Sequence, residues 1–256
     1  MDHALEPDPA RGVFTTMLVV DGQPVELDPH LAQLRESVHA LYMAELPSHA
    51  AELVAEAARG STLGRVRLAC RVDAAGAVQL DAFARAIERA IVLPTTALDL
   101  RTAPVDGWRG AHKWVDRRLL DALEAAAAPA CALLVERDGR VLETTRANVF
   151  ALGHDGVLRT PPTDGSILPG VTRANVIELA RELGTAVHEE PLTQDALHAA
   201  REVFVTGSIR GIEPVRSLDG ARLGEADQSA LGDAIADVLR HRWLERVAAH
   251  ARAGRG

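Results

Sequence analysis

Three Asp-Gly pairs constrain the fold of this chain most strongly, because each stands between two β-rich segments. The pairs lie at positions 21–22, 138–139 and 155–156. An Asp-Gly pair readily adopts the positive φ angles of a tight hairpin turn, so each pair predicts two antiparallel strands. Segments with apolar residues at helical spacing alternate with these hairpins. The sequence therefore predicts a mixed α/β (α+β) fold.

A segment that contains proline and glycine divides the chain. Residues 104–112 (PVDGWRGAH) include one proline and two glycines, and we interpret them as a linker. A chain of 256 residues is long enough for two domains, here predicted at 1–103 and 113–256. Residues 86–93 and 98–103 are expected to form strands, and a helix is expected to begin at about Lys113.

The charge of the chain limits its expected partners. Its formal net charge is −8, and its basic residues form no long run. Nucleic acid and anionic membrane surfaces are therefore not expected to bind it. No apolar run in the sequence reaches the length of a membrane span. A small-molecule substrate is the remaining expectation.

Cysteine and histidine usage bears on compartment and metal binding. Cys70 and Cys131 each lie in an apolar, strand-like segment without a CxxC neighbour, which is typical of buried thiols in a reducing compartment. The first residues are acidic and contain proline, without the apolar stretch of a signal peptide, so a cytoplasmic location is expected. No HxH or HExxH spacing occurs, so no metal site is predicted.

Lys113 is the only lysine among the 28 Lys and Arg residues. All the other residues of this group are arginine. Schiff-base chemistry requires an amine that can lose its proton, which arginine cannot supply. Lys113 also follows a glycine-containing segment, where a side chain could enter a cleft. Two interpretations of Lys113 are equally open at this point: a catalytic amine, or an ordinary surface lysine that happens to be the only one.

Three further segments could contact an anion or a cofactor. Glu143 ends a predicted strand, although many glutamates there are simply solvated. Residues 169–180 lead from a loop into a helix, and first-turn N–H groups with the Thr172 hydroxyl could hold a phosphate. A simple capped helix is the more common interpretation. The small-residue turn TGS at 206–208 could offer amides and hydroxyls to the same anion.

Several segments, taken in order, resemble one enzyme family. The segments are FTT-x₄-DG, HLAQLRES, HKWVDR, LETTRANVF, ILPGVTR and VFVTGSIRGIEPV. Together they resemble the class IV aminotransferases, which include branched-chain and D-amino-acid aminotransferases and aminodeoxychorismate lyase. The resemblance covers nearly the whole chain. It implies a two-domain enzyme of fold type IV, with a small N-terminal α/β domain and a larger C-terminal pseudo-barrel domain. It also implies that pyridoxal 5′-phosphate (PLP) binds in the crevice between these domains, on the C-terminal domain, and that the protein is a homodimer.

The resemblance also implies roles for individual residues. Lys113 would bind PLP covalently, and the Glu143 carboxylate would keep the pyridine nitrogen protonated so that the ring accepts electrons. Asn148 would support the loop after Glu143, and the remaining residues would hold the phosphate. The implied cofactor-binding residues are Lys113, Glu143, Asn148, Val171, Thr172 and Ser208.

Two positions depart from the family pattern. Gln33 stands where the family usually has an arginine that holds the phosphate. Arg35 is two residues further on and would point to another side of a helix. Thr15 stands where the family usually has a glutamate. Weakened cofactor binding is therefore expected.

The FTT segment at 14–16 resembles aminodeoxychorismate lyase most. This resemblance implies conversion of 4-amino-4-deoxychorismate to 4-aminobenzoate and pyruvate, in the folate pathway. Lys113 would act as the catalytic base, and the Thr16 hydroxyl would lie near the leaving pyruvyl group. Arg67 and Arg71 are candidates for the substrate carboxylates. A branched-chain or D-amino-acid aminotransferase, and a cofactor-less binding subunit, remain open as alternatives.

Overall fold

The computed structural model describes residues 6–73, 75–224 and 230–246. The chain forms two compact units, each built from segments that are discontinuous in sequence. Unit 1 comprises Met1–Val92, His112–Arg117 and Val238–Gly256, and unit 2 comprises Leu93–Ala111 and Arg118–Asp237. The sequence predicts two domains that are each continuous, 1–103 and 113–256, and this division stays a prediction.

Unit 1 is built on one antiparallel sheet. Its strands are β1 (Val13–Val20), β2 (Gln23–Pro24), β3 (Leu63–Val72) and β4 (Val78–Ala86), in the order β2-β1-β3-β4. The Asp-Gly pair between β1 and β2 has φ angles of 48° and 78°, as a tight hairpin requires. Two helices pack on this sheet, α1 (Leu27–Tyr42) and α2 (Ala50–Ala58).

Unit 2 contains a closed barrel of six strands. They are β5 (Leu98–Val105), β6 (Cys131–Glu136), β7 (Arg140–Thr144), β8 (Asn148–Leu152), β12 (Glu202–Gly207) and β13 (Gly211–Leu218). The ring closes because the order β8-β12-β13-β5-β6-β7 returns to β8 through a β7–β8 pairing. Two of the predicted hairpins are present, since β6 pairs antiparallel with β7, and β8 with the short strand that follows it.

The remaining elements of unit 2 surround this barrel. The strands are β9 (Leu158–Thr160), β10 (Val187–Glu189), β11 (Leu192–Thr193) and β14 (Ala221–Arg222). The helices are α3 (Arg118–Ala127), α4 (Val171–Glu182), α5 (Gln194–His198) and α6 (Ala230–Arg240), the last of which continues into unit 1. The sequence also predicts an amphipathic helix over 225–249. Within that range the structure has α6 and a π-helical turn at His241–Arg246, and the rest of the range lies outside the described residues.

Aliphatic side chains form the core of the barrel. Successive residues of a strand point to opposite faces, so one residue in two from each strand points inward. The strand residues of this core are Leu100, Cys131, Leu133, Val135, Val141, Val149, Ala151, Val203, Val205, Val215 and Leu218. No helix in the described part of the chain is both long and apolar enough to span a membrane.

Two local predictions were wrong. The strand predicted over 86–93 is absent, because β4 ends at Ala86 and a 3-10 turn covers Arg89–Ile91. The charged residues of this segment interrupt the apolar alternation that a strand requires. The helix predicted from Lys113 begins only at Arg118, because the residues before it are extended and pair with β1.

Candidate functional site

Backbone hydrogen bonds hold Lys113 against β1 of unit 1. Phe14 N donates to Lys113 O at 2.8 Å, and Val115 N donates to Gly12 O at 3.0 Å. Gly12 is required here, because its φ is +90° and a Cβ at this position would lie 2.2 Å from Cys70 O. The only lysine is therefore fixed by extended pairing rather than by a helix.

The neighbours of Lys113 lie on the opposite face of this extended segment. Trp114 is 3% exposed and lies opposite the first residue of β1. His112 packs edge-on against Trp114 with ring centres 5.5 Å apart, and its Nδ1 lies 3.1 Å from Ser37 Oγ. Side chains alternate along an extended chain, so Lys113 points the other way. Its Nζ lies 5.4 Å from the centre of the Phe14 ring.

A predicted catalytic residue, Thr16, and a predicted substrate residue, Arg67, share that face of the sheet. Thr16 is two residues from Phe14 and lies opposite Arg67 in the β1–β3 register. The guanidinium carbon of Arg67 lies 3.6 Å from the centre of the Phe14 ring, which is a cation–π contact. Unit 1 therefore brings Lys113, Thr16 and Arg67 together around Phe14.

Arg71, the other predicted substrate residue, already has a carboxylate partner. Its Nη2 donates to Asp81 Oδ2 at 3.0 Å, and both side chains are exposed. A further arginine, Arg65, was not among the predicted residues; it shares the face of Arg67 and lies opposite Arg85. The spacing in RVRLACR could have indicated it, because residues two apart on a strand share a face.

The opposite face of β1 holds a buried polar pair that the sequence analysis also missed. His30 Nδ1 lies 2.9 Å from Thr15 Oγ1, and both residues are buried. Burial, and then the positive charge of Lys113, lower the pKa of His30 to about 3. His30 is therefore neutral at neutral pH and places no second positive charge near Lys113.

In unit 2, hydrogen bonds fix the Glu143 carboxylate at the end of β7. Asn148 Nδ2 donates to Glu143 Oε2 at 3.1 Å and to Leu168 O at 2.9 Å. Leu168 N also donates to Glu143 Oε2, at 3.2 Å. Both side chains are buried, with Glu143 8% exposed and Asn148 4% exposed. Asn148, predicted to support the loop after Glu143, thus contacts the Glu143 carboxylate directly.

A β-bulge in β7 sets the direction of Glu143. Val135 lies opposite Val141, but Leu133 lies opposite Thr144, so β7 contains one extra residue between these pairs. A bulge of this kind redirects the side chains that follow it. Glu143 consequently pairs with Asn148 and lies outside the aliphatic core that contains Val141.

The start of α4 and the end of β12 supply polar groups for an anion. Val171 and Thr172 open α4, where no side chain caps the helix N-terminus. The Thr172 hydroxyl is buried and has no hydrogen-bond partner among the described residues. Gly170, before them, must be glycine because a Cβ would lie 2.2 Å from Asn148 Oδ1. These first-turn groups fit a phosphate.

Thr206 and Ser208 occupy the end of β12 and the turn after it. Thr206 lies opposite Asn148, so both side chains share one face of the sheet. The Thr206 hydroxyl is also buried without a hydrogen-bond partner in the described chain. Ser208 begins the turn that leads into β13 and is half-buried. The predicted cofactor-binding residues other than Lys113 thus lie in unit 2, and Lys113 lies in unit 1.

Comparisons with known proteins identify the family. The family profile described as amino-transferase class IV matches residues 12–218. The chain belongs to the class IV aminotransferase family. All the segments that resemble this family lie within the matched region.

Among the described residues, no group of three or more His, Cys, Asp or Glu could hold a metal ion.

Two curated aminotransferases share part of the sequence. A branched-chain-amino-acid aminotransferase of Salmonella typhimurium is 44% identical over 93 residues, which are 36% of this chain and 30% of that enzyme. A D-alanine aminotransferase of Bacillus licheniformis is 34% identical over 125 residues, which are 49% of this chain and 44% of that enzyme. The alignments thus span less than half of each relative.

A solved structure confirms the fold. A Legionella pneumophila protein, provisionally described as a 4-amino-4-deoxychorismate lyase, superposes with a TM-score of 0.80 at 23% identity. The superposition covers 91% of each chain. The predicted mixed α/β, fold type IV architecture of the class IV aminotransferases is therefore confirmed, with the closed six-stranded barrel as its larger part.

Proposed function

We propose that this chain is a PLP-dependent lyase that converts 4-amino-4-deoxychorismate to 4-aminobenzoate and pyruvate. The observation that carries the proposal is the common face of β1, where Lys113, Thr16 and Arg67 meet around Phe14. An amine, a hydroxyl and a guanidinium group are suited to a substrate that must lose a proton and a carboxylated leaving group. The likeness to the Legionella protein supports the same reaction.

The residues present fit PLP. Thr172 and the uncapped start of α4 offer buried donors to its phosphate, with Ser208 as a further contact. Glu143 offers a carboxylate to the pyridine nitrogen. The amine that binds PLP covalently would be that of Lys113. When bound, PLP supplies an electron sink for the carbanion that deprotonation creates. The buried hydroxyls of Thr172 and Thr206, which have no hydrogen-bond partner in the described part of the chain, argue against a binding subunit that has lost its cofactor.

The chain's own residues then account for the proton movements. Lys113 Nζ removes the proton from ring carbon C4 of the substrate. The C–O bond to the enolpyruvyl group breaks, and the Thr16 hydroxyl stands near the departing oxygen. Arg67, held by the Phe14 ring, binds a substrate carboxylate. Enolpyruvate takes up a proton to give pyruvate, and formation of the aromatic ring makes the reaction favourable.

An aminotransferase on the same scaffold is the second candidate. The similarity to the Salmonella and Bacillus enzymes favours it, because both are named as aminotransferases. Such an enzyme would transfer the amino group of a branched-chain or D-amino acid to a 2-oxo acid. The two reactions differ in their products, so one pair of assays separates them.

The test supplies purified protein and PLP with 4-amino-4-deoxychorismate and, separately, with branched-chain or D-amino acids plus 2-oxoglutarate. Pyruvate and 4-aminobenzoate from the first, without glutamate from the second, support the lyase. Glutamate without 4-aminobenzoate overturns it in favour of the aminotransferase. Lys113→Ala is the control, because it removes the amine and should abolish either activity. A wild-type spectrum without a bound-cofactor band would contradict both enzymes.

The proposal extends to assembly and location. We propose a homodimer, as the family resemblance implies, and a cytoplasmic enzyme. The free, buried thiols of Cys70 and Cys131 are compatible with a reducing compartment. Light scattering of the eluted protein should give twice the monomer mass of 27.3 kDa, and the mass of one chain would contradict the dimer.

A further inference from the structure

Glu124 of α3 binds the turn that joins β7 to β8. Its Oε2 accepts a hydrogen bond from Thr145 Oγ1 at 2.5 Å, and its Oε1 lies 3.2 Å from Arg146 Nη2. The same carboxylate accepts from Ala132 N at 3.1 Å and from Cys131 Sγ at 3.3 Å, at the start of β6. One side chain therefore connects a helix, a barrel strand and both central residues of the turn.

This turn is short, so its position determines the side chains at its ends. Thr144 N donates to Ala147 O at 2.8 Å, and Ala147 N donates to Thr144 Oγ1 at 2.9 Å. The residues on either side of the turn are Glu143 and Asn148, whose side chains are hydrogen-bonded to each other. A displacement of Thr145 is thus transmitted to the Glu143 carboxylate within two residues.

Charge strengthens the attachment. Partial burial acts to raise the pKa of Glu124, but hydrogen bonds from Thr145 and Ala132 and the charge of Arg146 outweigh it and hold the pKa below its usual range. Glu124 is therefore ionised, and its hydrogen bonds are charge-assisted. Arg146 also donates to Cys131 Sγ at 2.7 Å, which closes the cluster.

We propose that Glu124 is a positioning residue that acts through the 144–147 turn to fix the Glu143 carboxylate for the cofactor. The inference rests on the proposed function only in that the group bound by Glu143 is the PLP ring. Neither Glu124 nor Thr145 needs to touch the cofactor. The position of the turn itself can be measured on protein without PLP.

The experiment compares Glu124→Gln and Thr145→Val with Asp99→Asn. Asp99 is a matched control, because its carboxylate also accepts from an arginine (Arg216) and a hydroxyl (Ser217), but at β5 and β13. Amide hydrogen exchange of residues 143–149 is measured without PLP. PLP affinity and the pH dependence of the bound-cofactor absorption band are then measured on each loaded protein.

We expect two changes in both turn variants, Glu124→Gln and Thr145→Val. Amide exchange at 143–149 should be faster, and PLP should bind about tenfold more weakly, which is the effect of losing one charge-assisted hydrogen bond. The pH dependence of the absorption band should shift in these variants and remain unchanged in Asp99→Asn. Equal changes in all three proteins, or none in the turn variants, would overturn the positioning role. If Glu124→Gln does not fold, Thr145→Val decides alone. Wild-type protein that binds no PLP would refute the proposed function instead, and the exchange data would still test whether Glu124 holds the 144–147 turn.

Discussion

His30 Nδ1 and Thr15 Oγ1 lie 2.9 Å apart and are both shielded from solvent, so protonation of His30 would place a charge in the core of unit 1. The pKa of His30 is about 3 in the folded chain, against 6.5 for the unperturbed side chain. Between these values the unfolded chain binds more protons than the folded chain. Stability therefore falls as pH drops below 6.5 toward 3.

The first prediction follows from this imbalance. Between pH 7 and 5, His30 should contribute a loss of about 2 kcal/mol in the free energy of unfolding. Urea unfolding of His30→Gln should show a pH dependence weaker by about that amount, whatever its stability at pH 7. His188→Gln is the control, because His188 is exposed. An unchanged pH dependence in His30→Gln would mean that the folded chain protonates this imidazole as readily as the unfolded chain does.

The second prediction concerns the hydroxyl of Thr172. This hydroxyl is buried and has no hydrogen-bond partner among the described residues, so Thr172→Val without PLP should be as stable as wild type or more stable, by up to about 1 kcal/mol. Its PLP affinity should fall, because a phosphate contact is lost. Thr160→Val is the contrasting variant, since Thr160 Oγ1 donates to Val149 O at 2.8 Å. Thr160→Val should lose stability, measured by thermal melting, and keep its PLP affinity, measured by titration.

The third prediction is that Glu143→Gln folds but loses most of its activity. Glutamine keeps an oxygen that can accept from Asn148 and Leu168, whereas the negative charge for the pyridine nitrogen is gone. A loss of roughly 10²-fold in turnover is expected for a misplaced charge at such a site. Near-wild-type turnover in a variant with an unchanged melting temperature would remove Glu143 from the mechanism.

The fourth prediction separates a catalytic role of Thr16 from a structural one. Thr16→Val preserves the β-branched shape on β1 and removes the hydroxyl. Lyase turnover should fall while PLP affinity stays unchanged, and Thr16→Ser should restore turnover. If valine and wild type turn over equally, Thr16 serves only as a strand residue beside Arg67.

Local sequence signals were sufficient for part of this structure. The Asp-Gly turns predicted the hairpins because turn chemistry is local, and the uniqueness of Lys113 drew attention to it before any fold was known. The extended pairing of Lys113 with β1 could not be predicted, because the partner strand is about a hundred residues away in sequence. The contacts of His30 and Glu124 depend in the same way on helices meeting distant strands.

The extra residue in β7 makes the register of this strand a determinant of the site. A strand that paired regularly with β6 from Val141 onward would place Glu143 opposite Leu133, whose side chain lies in the aliphatic core, and the carboxylate would have no partner there. The extra residue instead leaves Glu143 opposite Asn148 and outside that core. A replacement that lets β7 pair without its bulge should therefore inactivate the protein although every residue of the site is still present.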